Sequence, residues 1–289
     1  MKSSSSILAA MAKRLRAAGE EPFTPMLEEY IMTRGKARKR LDNYVIDMTP
    51  RPRPPGRISP SKLCGCMRAA VFGFTGVRGE DKRDLDSELI FENGNWFHHK
   101  WQALTKDMEL VLGRDRFRVL GIEEGIMIPE LYIAGSLDIH LAIKVNERWM
   151  HYIVDIKSIN SFGFNKVMEI QGPLPSHEQQ VTAYAKGRRV RRGLLLYENK
   201  NDNRVMPFVF RVDEAVWREV VEWCEDTIDH LENETVPDMH PDCQTGTFLF
   251  DKCPYSRICT KKTNSQIQRL TYKNFPGVEV QWEILVRVS

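Results

Sequence analysis

Apolar residues recur with helical and strand periods along most of the chain. Between Ser87 and Asp107 the side chains of Phe97, Trp101 and Leu104 share one stripe, which predicts a helix. Short apolar runs predict five strands, at 125–128, 132–141, 149–156, 194–198 and 205–212. Strands that alternate with helices predict a mixed α/β domain.

Two more helices and a last strand complete the pattern. The segment 176–187 is helical in pattern and ends at a glycine. Asp213 is placed to cap a long amphipathic helix that reaches about Asn233. Near the C-terminus, apolar side chains occupy every second position, as in a strand: Val278, Val280, Trp282 and Ile284.

The first 57 residues differ in composition from the rest of the chain. Residues 7–18 have the pattern of a short amphipathic helix, and residues 33–57 carry eight basic and two acidic side chains, a net charge of +6. The proline-rich segment 52–56 cannot hold a helix and indicates a linker. We therefore expect an N-terminal extension over 1–57, a globular domain over 58–263 and a C-terminal tail over 264–289.

Overall composition limits the classes of protein that this chain can be. Its 289 residues are 42% hydrophobic and 28% charged, which is typical of a soluble globular protein. No apolar run approaches the roughly 20 residues that span a bilayer, and the apolar stretch 7–11 is too short for a signal peptide. We therefore expect a cytoplasmic protein, in which the six cysteines are metal ligands or core residues rather than disulfides.

An acid and a base end one of the apolar strands. Asp155 and Lys157 stand two residues apart, so both side chains leave the strand on the same face. Burying two charges at the end of a core strand costs free energy unless something compensates them, as a divalent cation and a phosphate would. The alternative is a polar strand face that meets water, with an ion pair of little energetic value.

Three further features favour the metal site. Asp138 is the single acid of a neighbouring apolar strand, and two carboxylates on adjacent strands repel unless a hard cation such as Mg²⁺ or Mn²⁺ lies between them. Gly94 and His98 share one face of the helix, and so do Gln180 and Tyr184 on a later helix. Each feature is weak by itself, but their order and spacing are specific.

The series G-x-x-x-H, G-x-x-D, D-x-K and Q-x-x-x-Y resembles the RecB-type branch of the PD-(D/E)xK nuclease superfamily over about residues 58–263. The resemblance implies a restriction-endonuclease-like core, in which a mixed β-sheet is flanked by helices. It implies metal ligands at His98, Asp138, Asp155 and the backbone carbonyl of Ile156. It also implies that Lys157 holds or activates the attacking water and stabilises charge on the phosphate, and that Gln180 and Tyr184 position the strand. With Asp138 and Asp155, these are the catalytic residues that the resemblance implies.

The residues by themselves, apart from the resemblance, also support metal-assisted cleavage of a phosphodiester. A metal ion neutralises the charge of a phosphodiester, lowers the pKa of a bound water and stabilises the leaving oxygen. Beside it, Lys157 is either an electrostatic stabiliser or, with a depressed pKa, a general base. The residues leave open whether one metal or two are bound.

The cysteines form a second pattern. Cys253 and Cys259 make a C-x5-C unit, Cys243 precedes them, and Cys64 and Cys66 lie far upstream. The sixth, Cys224, lies on the apolar stripe of the long helix and is interpreted as a core residue. Four of the other five suffice for one tetrathiolate site, with His240 as a reserve ligand.

This pattern resembles the iron–sulfur members of the same family, the AddB-like and CRISPR spacer-processing exonucleases. The resemblance implies that Cys66, Cys243, Cys253 and Cys259 hold a 4Fe-4S cluster, a staple that joins the N- and C-terminal parts of the domain. The nine residues between Cys243 and Cys253 depart from the family spacing of two. Structural Zn²⁺ is the alternative, since four thiolates suit it equally.

These observations together predict a metal-dependent DNA nuclease. We expect an exonuclease that acts on DNA ends or single strands in recombination, repair or viral DNA processing. The net charge of +3 is modest, so DNA affinity must come from basic patches such as 186–192, largely without sequence specificity. The basic extension is either a DNA-binding arm or a docking segment for a protein partner. The alternative function is a non-cleaving nucleic-acid-binding protein of the same fold with a structural zinc or iron–sulfur site.

Overall fold

The computed structural model describes residues 21–33, 55–80, 85–241, 243 and 247–288. The helix predicted at 7–18 and most of the basic stretch 33–57 lie outside these residues. The chain divides into two compact units. The described residues of the first unit lie within Met1–Met48, Ile90–Gly125 and Ser136–Asp213, and those of the second lie within Thr49–Leu89, Ile126–Gly135 and Glu214–Ser289.

Helices and strands alternate over the middle of the chain, and helices follow to its end. Their bounds are α1 Phe23–Thr33, α2 Met67–Thr75, α3 Leu85–Leu112, β1 Phe117–Ile128, β2 Ile133–Val145, β3 Arg148–Ile159, α4 Ser161–Ile170, α5 Pro175–Gly187, β4 Arg192–Asn199, β5 Val205–Arg211, α6 Glu214–Glu232, α7 Phe248–Lys252, α8 Ser256–Lys261, α9 Asn264–Tyr272 and α10 Val278–Val288. Within the described ranges, no helix has both the length and the apolar character needed to cross a membrane.

The five strands form one mixed sheet in the order β1-β2-β3-β4-β5. β2 pairs with β3 antiparallel, β3 with β4 parallel, and β4 with β5 antiparallel. A parallel pair needs a long crossover, which α4 and α5 supply between β3 and β4. The mixed sheet flanked by helices that the sequence predicts is therefore confirmed.

Side-chain alternation along β3 separates the core of the first unit from its polar face. Tyr152, Val154 and Ile156 are fully buried in an apolar cluster with residues of α1 and α3. Each such side chain contributes roughly 1.5–3 kcal/mol by leaving water. Asp155 and Lys157 point to the opposite face, where α5 packs against β3 and β4.

The predicted C-terminal strand is wrong, because 278–288 is the helix α10. Val278, Trp282 and Leu285 are buried at helical spacing, and Trp282 packs edge-on against Tyr132 within the second unit, with ring centroids 5.5 Å apart. The side chains that also fit a strand, such as Ile284, are half exposed. The segment satisfies both periods, and packing of one helical stripe decides between them.

We expect Gly193→Ala to destabilise the first unit by about 1–3 kcal/mol, because overpacking a close-packed core forces side chains to move. A Cβ on Gly193 of β4 would lie 2.5 Å from Phe210 Cζ and 2.6 Å from Val181 Cγ1. Urea denaturation of both proteins measures the difference. Gly125→Ala in β1 is the matched control, since nothing lies within 4 Å of its Cβ position. Equal stability of the two variants would contradict the packing described here.

Candidate active site

β2 and β3 separate at the position where the acids of the two strands meet. Their pairing includes Ile139↔Val154, and beyond it the backbone N–H of Ile156 donates to Asp138 Oδ2 at 2.7 Å. The carboxylate thus takes the place of a strand partner, which satisfies a buried backbone donor. Asp138 is thereby held, buried, in the fork between the strands.

Asp155 and Lys157 share a face of β3, as their spacing predicts. Lys157 Nζ lies 2.7 Å from Asp155 Oδ2. This ion pair is the close polar contact that the buried oxygen makes within the described residues. Burial raises the pKa of Asp155 to about 6; Lys157 opposes the shift and the negative charge of Asp138 adds to it.

His98 reaches the fork from α3. Its Nδ1 lies 3.2 Å from Asp138 Oδ2. Burial lowers the pKa of His98, but the Asp138 and Asp155 carboxylates outweigh burial and raise it to about 9. A Cβ on Gly94 would meet Ser158 Oγ at an ordinary 3.9 Å, so the approach of α3 to β3 does not require glycine there.

Gln180 and Tyr184 continue the site along α5. Gln180 Oε1 accepts a hydrogen bond from Lys157 Nζ at 2.9 Å, and Gln180 Nε2 donates to the Tyr184 hydroxyl at 3.1 Å. Burial raises the pKa of Tyr184, and the charge of Asp155 raises it further. The side chains of His98, Asp138, Asp155, Lys157, Gln180 and Tyr184, predicted from separate motifs, therefore form one connected group.

Glu123 belongs to the same group, although the sequence patterns do not single it out. Ligand atoms of His98, Glu123 and Asp138 all lie within 4.8 Å of one another. Gln102 Nε2 donates to Glu123 Oε1 at 2.7 Å, and Ser136 Oγ donates to Glu123 Oε2 at 2.9 Å. The periodicity places the start of β1 at residue 125, whereas the strand begins at Phe117. Glu123 therefore fell outside the predicted sheet.

His177 is a second residue that sequence reasoning missed. It lies on α5, three residues before Gln180, and its Nδ1 is 2.8 Å from the Tyr197 hydroxyl. Tyr197 is the β4 partner of Lys157 in the parallel register. Burial and, to a smaller extent, the charge of Lys157 together lower the pKa of His177 to about 4. A lone histidine on a helix carries no local signal for this placement.

The chemistry of these donors fits a divalent cation. The carboxylate oxygens of Glu123 and Asp138, with the imidazole of His98, suit Mg²⁺ or Mn²⁺, whereas Asp155, a predicted ligand, lies outside that group of three and contacts Lys157. The ligands must be deprotonated to bind a metal, and the carboxylates hold a proton on His98. Cation binding at these residues is therefore expected to release a proton.

The cysteine ligands predicted from the sequence all lie in the second unit. Among the described residues, their sulfurs form no group of three within 4.8 Å, so the staple itself is not seen. Burial raises the pKa of Cys243, and the charges of Cys253, Cys66 and Cys259 raise it further. Burial also raises the pKa of Cys259, while the Arg68 guanidinium that hydrogen-bonds to it lowers that pKa.

The remaining two cysteines are arranged differently. Cys224 is fully buried on α6, in agreement with its interpretation as a core residue. Cys64 Sγ donates to the backbone carbonyl of Glu219 at 3.9 Å, and burial raises its pKa to about 11. Neither thiol is among the charges that shift Cys243 or Cys259.

No family model and no curated protein matches the chain. It is similar to the structure of an alkaline exonuclease (LHK-Exo) from Laribacter hongkongensis at 12% identity over 62% of this chain and 89% of that chain, with a TM-score of 0.45. It is also similar to the structure of SSO0001, at 17% identity over 81% of this chain and 94% of that chain, with a TM-score of 0.36. A third similar structure is that of a phage-related exonuclease from Haemophilus somnus 129PT, at 12% identity over 62% of this chain and 96% of that chain, with a TM-score of 0.33. Similarities at these scores identify neither a fold nor an activity.

We expect Glu123→Gln to weaken Mn²⁺ binding at least about tenfold, because an amide replaces one anionic oxygen beside His98 and Asp138. Isothermal titration calorimetry of the metal-free protein measures the affinity without any reaction. Glu124→Gln is the matched control, since this adjacent carboxylate pairs with Arg188 at 3.2 Å instead.

His98→Ala and His99→Ala form a second matched pair in the same titration. His98 contacts Asp138, so its loss is expected to weaken Mn²⁺ binding, whereas loss of His99 is expected to have little effect. Equal losses within either pair would show that the cation lies elsewhere.

Proposed function

We propose that this chain is a metal-dependent DNA nuclease. The observation that carries the proposal is the Asp155 carboxylate, which is buried beside Asp138 and forms an ion pair with Lys157. Two buried like charges are destabilising unless a cation joins them. An ion pair that served only stability would need Asp155 and Lys157 but not Asp138. A strand face that met water would leave Asp155 exposed, whereas it is buried.

The protein side of the reaction follows from the contacts. A bound Mg²⁺ or Mn²⁺ neutralises phosphate charge and lowers the pKa of a coordinated water. His98, Glu123, Asp138 and Asp155 are the residues that would hold it, together with the backbone carbonyl of Ile156. Each is fixed before substrate arrives by hydrogen bonds or burial, which limits reorganisation during the reaction.

Lys157 supplies positive charge to the site. Asp155 and Gln180 both hold its ammonium, and Tyr184 in turn holds Gln180. An ion-paired ammonium has no lone pair with which to accept a proton. We therefore assign Lys157 as an electrostatic stabiliser of the phosphate, and Gln180 and Tyr184 as residues that position it.

DNA is the proposed substrate, bound largely through its backbone. The basic segment 186–192 runs from the last turn of α5 to the start of β4. Lysine and arginine side chains suit phosphates, and contacts to phosphates carry no direct sequence information. We propose an exonuclease acting on ends or single strands. A non-cleaving nucleic-acid-binding protein is the alternative.

The cysteine residues support a second metal proposal. Cys66, Cys243, Cys253 and Cys259 lie within electrostatic reach of one another. The buried Arg68 also donates to the backbone carbonyl of Pro237 at 2.7 Å and is placed to offset thiolate charge. We propose that these thiols hold a 4Fe-4S cluster, with structural Zn²⁺ as the alternative. Either metal would couple binding to folding of the second unit.

We expect Asp155→Ala and Lys157→Ala each to abolish cleavage while the protein stays folded, because one removes a metal ligand and the other the positive charge at the phosphate. The assay uses end-labelled single- and double-stranded DNA with Mg²⁺, Mn²⁺ or a chelator, and circular dichroism checks folding. Lys106→Ala, an exposed lysine of α3, is the control. Wild-type protein that binds DNA without cutting it would favour the alternative function, and an active Asp155 variant would remove the assigned site.

Protein purified without oxygen is expected to be brown and to contain iron rather than zinc. Cys66→Ser, Cys253→Ser and Cys259→Ser should each lose the metal and lower stability, because much of the binding energy is folding energy. Cys224→Ser is the matched control and should keep the colour. Elemental analysis decides: stoichiometric zinc without iron replaces the cluster with a zinc site, and absence of both metals ends both assignments.

A further inference from the structure

The His177 imidazole lies beside Lys157 without a role in the scheme above. His177, Gln180 and Tyr184 are spaced three and four residues apart, so they form one stripe of α5. His177 Nδ1 lies 2.8 Å from the hydroxyl of Tyr197, the residue that pairs with Lys157 across β3 and β4, so the ring lies on the Lys157 side of the sheet. The ring is half-buried, and Nε2 makes no hydrogen bond among the described residues.

Two hydrogen bonds at Tyr197 fix the tautomer of His177. The backbone N–H of Leu174 donates to the Tyr197 hydroxyl oxygen at 3.1 Å. Tyr197 is fully buried, and a buried hydroxyl proton needs an acceptor. Within the described contacts that acceptor is His177 Nδ1, at 2.8 Å. If Nδ1 accepts, the ring proton resides on Nε2.

The ring is a donor without being a cation. Burial and Lys157 together lower the pKa of His177 to about 4, so the imidazole is neutral at pH 7. A protonated ring would repel Lys157 and compete with it for the carboxylates. A neutral N–H avoids both effects while still offering a hydrogen bond to an anion.

We propose that His177 Nε2–H donates a hydrogen bond to a phosphate oxygen of the bound DNA strand, beside the oxygen that Lys157 stabilises. Tyr197 is the positioning residue, because it holds the tautomer that presents the proton. The inference rests on the proposed nuclease function. It adds an uncharged hydrogen-bond donor to the site and gives a role to the hydrogen bonds that join Leu174, Tyr197 and His177.

The first test compares cleavage rates of end-labelled single-stranded DNA. We expect His177→Ala to lower kcat/KM about 10- to 100-fold, the usual effect of losing a hydrogen bond to a charged group. His177→Gln keeps an N–H donor and should recover part of that loss. His230→Ala is the matched control, because its Nδ1 pairs with the Thr235 hydroxyl at 2.7 Å in the second unit. Unchanged cleavage by His177→Ala, with active wild type, would overturn the inference alone.

The second test reads the tautomer directly by ¹⁵N NMR of the histidine ring. Wild-type His177 should carry its proton on Nε2, and Tyr197→Phe should mix the two tautomers. The double variant His177→Ala, Tyr197→Phe should cleave no more slowly than His177→Ala, since Tyr197 acts through the same ring. A proton on Nδ1 in the wild type, or losses that multiply, would reject the proposal.

The two proposals fail separately. If the wild type does not cleave with either metal, the proposed function fails, and the inference is judged by binding. In chelator, a short single-stranded oligonucleotide should then shift the His177 Nε2 signal and leave that of His230 in place. No shift in the presence of bound oligonucleotide would end the inference as well.

Discussion

Two carboxylates buried together are the constraint around which the first unit is organised. Asp138 and Asp155 are close enough that Asp138 raises the pKa of Asp155, and both are buried where β2 and β3 separate. Leaving water costs each charge several kcal/mol. The groups that surround them offset this cost in different ways, by a backbone N–H, an imidazole and an ammonium.

The two faces of the sheet carry different side chains, and this difference places those groups around the carboxylates. One face of β3 is apolar and packs with α1 and α3, which fixes the strand rigidly. The other face carries Asp155 and Lys157, and α5 brings Gln180 and Tyr184 to them. The fork between β2 and β3 lets His98 of α3 reach Asp138. A site built on strands and helices in this way is held more firmly than one built on loops.

Local periodicity predicted the parts of this site that follow from one element at a time. The two-residue spacing of Asp155 and Lys157 and the four-residue spacing of Gln180 and Tyr184 each define a face. Contacts made only in three dimensions were not accessible in that way. Glu123 lies in the part of β1 that the sequence pattern did not predict. Its hydrogen bonds to Gln102 and Ser136 join residues of three different elements, which local periodicity does not relate to one another.

The C-terminal helix was missed for a related reason. The segment 278–288 fits a period of two and a period near 3.6, and burial of Trp282 against Tyr132 selects the helix. Sequence order likewise gave no indication that His177 lies beside Lys157, because the contact runs through Tyr197 on β4. In both cases tertiary packing decided what local pattern left open.

Formal charge accounts for the state of each residue around the fork. The three carboxylates of Glu123, Asp138 and Asp155 and the ammonium of Lys157 sum to a net charge of −2. One divalent cation would neutralise it. Without a cation, a proton on His98 offsets part of that excess, in keeping with its raised pKa. A further positive group would lessen the attraction for the metal. Burial and the charge of Lys157 accordingly keep His177 neutral, and its Nδ1 contacts the Tyr197 hydroxyl rather than a carboxylate.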